Sequence, residues 1–210
     1  MLLAAGLLLL PATATGQGTG TVTLTATPAL IKFNTTPVAV GGTFSGVQNV
    51  AGVRVTLQRA TFPFTRFRAF ARTQTDASGG FAFTVTPAVN THYAAVAAGK
   101  PTVRSQPVGV LVLRQVTIKL STATPRARHP IRVAGYVYPK EPGDAVELQY
   151  ETAAGWHTVQ SDRTYSVDTT RSAYAFTRAA PRKRTRLRVV LPDDGQHPPS
   201  ASGVRTLRPR

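Results

Sequence analysis

Val53-Arg54-Val55-Thr56-Leu57-Gln58 puts Val53, Val55 and Leu57 on one side of an extended chain and Arg54, Thr56 and Gln58 on the other. The pattern returns as Ala145-Val146-Glu147-Leu148-Gln149. Around it, Phe81-Ala82-Phe83-Thr84 is echoed by Tyr174-Ala175-Phe176-Thr177, and Tyr93-Ala94-Ala95-Val96 by Leu187-Arg188-Val189-Val190. Leu57 to Leu148, Phe83 to Phe176 and Val96 to Val190 are 91, 93 and 94 residues apart. That period is too long for a solenoid repeat and suits a whole small domain. The sequence therefore reads as a tandem of two similar domains.

Period-two alternation with one apolar face predicts half-buried strands of antiparallel sheets. Turn signals separate them: Gly41-Gly42, Ala51-Gly52, Asp76 to Gly80, Ala98 to Pro101, Pro142-Gly143-Asp144 and Asp193-Asp194-Gly195. The first copy reads as strands at 20–27, 42–47, 53–59, 66–74, 80–86, 92–98 and 105–113. The second reads as 115–121, 130–137, 145–151, 156–163, 172–178, 184–191 and 201–208. About seven strands per copy, so spaced, predict an all-β chain of two tandem immunoglobulin-like antiparallel β-sandwiches. The expected domains are 20–113 and 114–210. Leu111-Val112-Leu113-Arg114-Gln115-Val116 joins them without Gly or Pro, which predicts a stiff, elongated pair.

Leu2 to Leu10 is an apolar run, followed by Pro11 and an A-x-A pattern, Ala12-Thr13-Ala14. This outlines an export signal over 1–14, although no basic residue precedes the run. Residues 15–19 read as a linker. The run is too short for a stable transmembrane anchor, so the expected location is secreted or associated with the cell envelope.

The formal charge is +16. Up to Leu113 there are eight Lys/Arg and one acid; beyond it, seventeen and eight. Such a field attracts nucleic acid, wall polymers or lipid headgroups. Arg over Lys with abundant Ala is also what a GC-rich genome encodes, and the two readings stand side by side. The chain has no Cys, which removes disulfides, thiolate metal sites and cysteine nucleophiles.

In both copies the order of motifs resembles the tandem bacterial immunoglobulin-like repeats of secreted proteins from high-GC Gram-positive bacteria. The resemblance rests on Val55, Leu57, Gln58, Asp76, Gly79, Phe81, Phe83 and Tyr93 in the first copy. In the second it rests on Val146, Leu148, Gln149, Gly155, Trp156, Val159, Tyr174, Phe176 and Val189. The first copy departs at Phe67 and Phe70, which stand where the second has Trp156 and Val159. The second departs at Asp168 to Ser172, in place of the Asp76 to Gly80 turn. The resemblance implies a spacer, an adhesive unit or an accessory module, and fold alone does not choose among them.

No catalytic constellation and no cofactor motif emerges, so the chain reads as non-catalytic. His92, His129, His157 and His197 lack metal-ligand spacing and read as surface or strand-end residues. Asp193-Asp194-Gly195 reads as a tight turn. Trp156, at a strand start, is expected to pack over the core edge. Pro63 splits an aromatic cluster, leaving Phe62 and Phe64 in a loop as candidate ligand contacts. Arg182, Arg184, Arg186 and Arg188 share one parity, opposite to Leu187, Val189 and Leu191, which predicts an outward basic ladder. Alternate residues lie roughly 6.6 Å apart, and Arg can grip an anion bidentately. Glu147 and Glu151 on the neighbouring strand are expected to absorb part of that charge. The function expected is an exported structural or interaction module at the envelope, possible partners being an anionic cell-wall polymer or another polyanion. The alternative is an accessory module that binds a carbohydrate or a protein through Phe62 and Phe64.

Overall fold

The computed structural model describes residues 19–99 and 101–210. The apolar run and the Ala12-Thr13-Ala14 pattern lie outside the described residues, among which there is no helix. No helix of the described residues is long and apolar enough to cross a membrane.

The first half contains β1 (Thr21–Val22), β2 (Thr25–Thr27), β3 (Leu30–Lys32), β4 (Val38–Ser45), β5 (Arg54–Thr61), β6 (Arg68–Gln74), β7 (Gly80–Val85), β8 (Thr91–Ala97), β9 (Val103–Arg104) and β10 (Val108–Leu113). One sheet places β1, β2 and β7 on β4; the other runs β3-β10-β8-β5-β6, with β9 on β8. All pairings are antiparallel except β3 with β10, which is parallel. The second half contains β11 (Gln115–Val116), β12 (Lys119–Leu120), β13 (Pro130–Tyr138), β14 (Ala145–Thr152), β15 (Gly155–Arg163), β16 (Tyr165–Ser166), β17 (Ser172–Ala179), β18 (Thr185–Leu191), β19 (Ser200–Ala201) and β20 (Arg205–Leu207). Its sheets are β11/β12-β13-β17-β16 and β15-β14-β18 with β19 and β20 on β18. Among the described residues no strand of one half pairs with a strand of the other. The chain is two tandem immunoglobulin-like β-sandwiches.

Alternation builds each core. Val55 and Leu57, with Tyr93 of the same sheet, face Val38, Val40 and Phe81 across the first sandwich; Val146 and Leu148, with Leu187 of the same sheet, face Val133, Tyr174 and Phe176 across the second. Burying such side chains contributes about 1.5–3 kcal/mol each and is the main stabilising term.

The repeat reaches into the polar details. In each first strand a threonine interrupts pairing: the Thr43 amide donates to Thr23 Oγ1 at 3.0 Å, and the Tyr136 amide to Thr117 Oγ1 at 2.8 Å. Opposite stand Gly42 and Gly135, where a Cβ would run into the carbonyl oxygens of Thr23 and Thr117. Gly41-Gly42, read from sequence as a turn before a strand starting at 42, therefore lies inside β4, which begins at Val38. Ser105 and Ser202 bond the buried amides of Ala95 and Val189. Asp76 accepts from the Ser78 amide and hydroxyl, and Asp168 does the same for Thr170. The second copy thus keeps the aspartate turn although its sequence there diverges.

Candidate functional site

Phe62 and Pro63 form the turn after β5, closed by the Phe64 amide on Thr61 O at 2.7 Å. Phe64 stacks on His92, with centroids 4.0 Å apart and planes at 11°. Phe67 lies against the Arg104 guanidinium, 4.4 Å from ring centroid to Cζ. The loop thereby lies across the outer face of β8 and β9. Ala94, which alternates outward between Tyr93 and Ala95, is fully buried. Phe62 stays 44% exposed, edge-on to Phe64 at 5.8 Å. Its ring also lies where a Cβ on Gly195, in the second sandwich, would sit. Both aromatics are in the predicted loop; Phe64 is engaged within the first sandwich, and Phe62 meets the second.

In the second sandwich the equivalent connection is the short turn Thr152–Gly155, and the outer face of β14 and β18 carries half-buried Glu147, Gln149, Glu151 and Arg188 with exposed Arg186. The ladder has two rungs on β18, Arg186 and Arg188; Arg184 immediately precedes the strand, and Arg182 lies in a bend after Pro181. β18 pairs with β14 in the expected order. Arg186 Nη1 donates to both oxygens of Glu151, at 2.7 and 2.8 Å. Arg188 Nε donates to Gln149 Oε1 at 3.0 Å. Arg182 and Arg184 are exposed, and among the described residues neither forms an ion pair. Trp156 is not over the core edge. It pairs with Glu151, whose side chain points outward, because Val159 takes the inward position on β15 and alternation then turns residue 156 out. The half-buried indole lies 4.4 Å from Arg188 Cζ and 6.0 Å from Arg186 Cζ. Beside it Thr158 donates to Glu147 Oε2 at 2.8 Å, and Gln149 Nε2 donates to the same oxygen at 3.2 Å.

A third cluster, unmarked by any sequence motif, lies between the sandwiches. Arg114 follows β10, and its side chain is 1% exposed. Nη1 bonds Asp144 and Asp194, each at 2.8 Å, with Glu141 at 3.8 Å; Nη2 bonds Pro192 O. His197 is fully buried, contrary to its surface reading, with Nδ1 2.7 Å from Val112 O and Nε2 2.8 Å from Glu141 Oε1. Two acceptors, one at each ring nitrogen, favour the doubly protonated imidazolium. Asn90 joins the same seam: its backbone N–H donates to Gln196 O at 2.7 Å, its Nδ2 to Gly195 O at 3.2 Å, and its Oδ1 accepts from Val112 N at 2.9 Å. Two cations then face three carboxylates, leaving one negative charge in surplus. Burial pushes Asp144 up to about 6, and neighbouring Glu141 adds to the rise against the pull of Arg114. Burial also pulls Glu141 upward, but hydrogen bonds from His197 and Asp144 hold it below the usual range. When Asp144 takes up a proton, below about pH 6, it supplies the donor that the buried Glu141 Oε2 otherwise lacks. For His197, burial acts downward, yet the bonds to Glu141 and Val112 O and the nearby carboxylates leave it raised. Oxygens of Glu141, Asp144 and Asp194 lie within 4.8 Å of one another, and the Arg114 guanidinium takes the cation's place among them.

No family model matches the chain, and no curated protein matches it. Solved structures with a similar backbone course include a tetra-tandem repeat in the extending region of a large adhesion protein. It is 14% identical, with a TM-score of 0.43, over 90% of this chain and 49% of that one. Another is red sea bream transglutaminase, 11% identical with a TM-score of 0.46, over 90% of this chain and 31% of that one. The chain thus spans about half the length of the first and under a third of the second.

Proposed function

We infer that this is an exported, non-catalytic interaction module at the cell envelope or outside it, in which the second sandwich holds an anionic polymer by charge. The observation that carries the reading is the run of basic side chains in which exposed Arg182 and Arg184, just before β18, lead into Arg188 and the partly neutralised Arg186 on its outer face. The polar seam around Arg114 serves this role by fixing that face relative to the first sandwich. The alternative contact surface, Phe62 and Phe64, is weakened because Phe64 is already stacked on His92.

The test is binding of an anionic wall polymer across a salt series, comparing the parent with a variant carrying Arg→Gln at 182, 184, 186 and 188. Each phosphate contact contributes through counterion release, so the variant should bind far more weakly at low salt and show a shallower salt slope. Equal binding by variant and parent removes the site. N-terminal sequencing of secreted material tests export: the mature chain should begin just after Ala14.

A further inference from the structure

We propose that the face around Trp156 selects a carboxylate-bearing polysaccharide over other polyanions. The proposal rests on the polyanion-binding reading above and narrows its ligand. The chain's single tryptophan lies on the same face as Arg186 and Arg188, whose guanidinium groups lie over its ring. With Arg188 over one face of the indole, the opposite face is the flat apolar surface offered to the C–H face of a sugar ring. A guanidinium held alongside can take a carboxylate bidentately. Arg188 is pre-oriented for this by its bond to Gln149 and its place over the indole, which lowers the ordering cost on binding.

The same face carries groups that discriminate against a densely charged chain. Glu147 and Glu151 stand on β14 between the tryptophan and the arginines. A chain with a phosphate at every step would meet both carboxylates. An acidic polysaccharide alternates charge with hydroxyls, and Glu147, Gln149 and Thr158 form a hydrogen-bonded platform that hydroxyls can join. Single-stranded nucleic acid is disfavoured by the same carboxylates and by the presence of one aromatic ring where successive bases would need several. The first sandwich lacks this surface because its own loop, through Phe64 and Phe67, lies over the corresponding face.

Because Trp156 is the only tryptophan, its fluorescence in the full chain reports occupancy directly. The probes are polygalacturonate, polyphosphate of matched charge, a single-stranded oligonucleotide and neutral dextran, each at low and moderate salt. The expected result is tighter binding of polygalacturonate, with a change in tryptophan emission. Titration calorimetry measures the variants, which have no tryptophan: Trp156→Ala should lose about tenfold in that affinity while leaving polyphosphate binding unchanged. Trp156→Phe, which keeps an aromatic ring, should retain most of it and guards against misfolding of the alanine variant. Equal binding of polygalacturonate and polyphosphate, unaffected by Trp156→Ala, overturns this inference and leaves the polyanion reading standing. Preference for the oligonucleotide overturns it in favour of nucleic acid. Binding of dextran as tight as polygalacturonate overturns the role of the arginines, and no binding of any polyanion overturns both readings.

Discussion

Arg114 and Asp194 meet at 2.8 Å, joining the end of the first sandwich's last strand to the loop between β18 and β19 of the second. The guanidinium is buried and shared with Asp144, so the contact resembles a core ion cluster more than a surface bridge. Removing one member of such a cluster leaves the others desolvated and unpaired.

Arg114→Gln should therefore lower stability by about 3 kcal/mol, with the loss concentrated in the coupling between the sandwiches. Calorimetry of the parent should show one transition and the variant two. A single, unshifted transition in the variant would show that Arg114 does not couple them.

The seam should be tightest in mild acid. Asp144 is raised from 3.8 to about 6, so its contribution is complete below 3.8 and is lost as pH rises through 6. His197 is raised above 6.5, so its contribution likewise fades as pH rises past its folded value. Glu141 is lowered below 4.5, so its contribution is present above 4.5 and is lost as pH falls through the folded value. The denaturation midpoint should rise from pH 8 toward about 5 and fall again in stronger acid. Asp144→Asn should flatten the rise between pH 7 and 5; urea titrations across pH measure both.

Gly42→Ala and Gly135→Ala should each cost about 1–3 kcal/mol, since the added methyl meets a backbone carbonyl that cannot rotate away. Gly203→Ala is the control: open space surrounds that position, and its change should stay within ~0.5 kcal/mol. Thermal melts of the three variants decide whether the repeated glycine is structural.

Phe64→Ala removes the stack on His92 and should cost about 1 kcal/mol. It should also raise the exchange of the Ala94 and Val96 amides, whose outer face the loop covers. Unchanged exchange would show that the loop does not protect β8.

Period-two alternation is a local property, written residue by residue, because one side of every strand must face a core. Leu57 and Leu148, Tyr93 and Leu187, and the outward Arg186 and Arg188 were legible from it. Gly42 was visible but misassigned, since only the approach of Thr23 distinguishes a glycine inside a strand from one in a turn. Trp156 was misplaced because its direction depends on which neighbour, Val159, takes the inward position. The seam was not legible at all. Arg114, Glu141 with Asp144, and Asp194 with His197 sit in three separate connections, and each alone reads as an ordinary loop or surface residue. They become one buried cluster only when the loops of the second sandwich dock on the end of the first. Docking geometry belongs to tertiary structure, because loop side chains carry no periodicity to announce which partner they will meet.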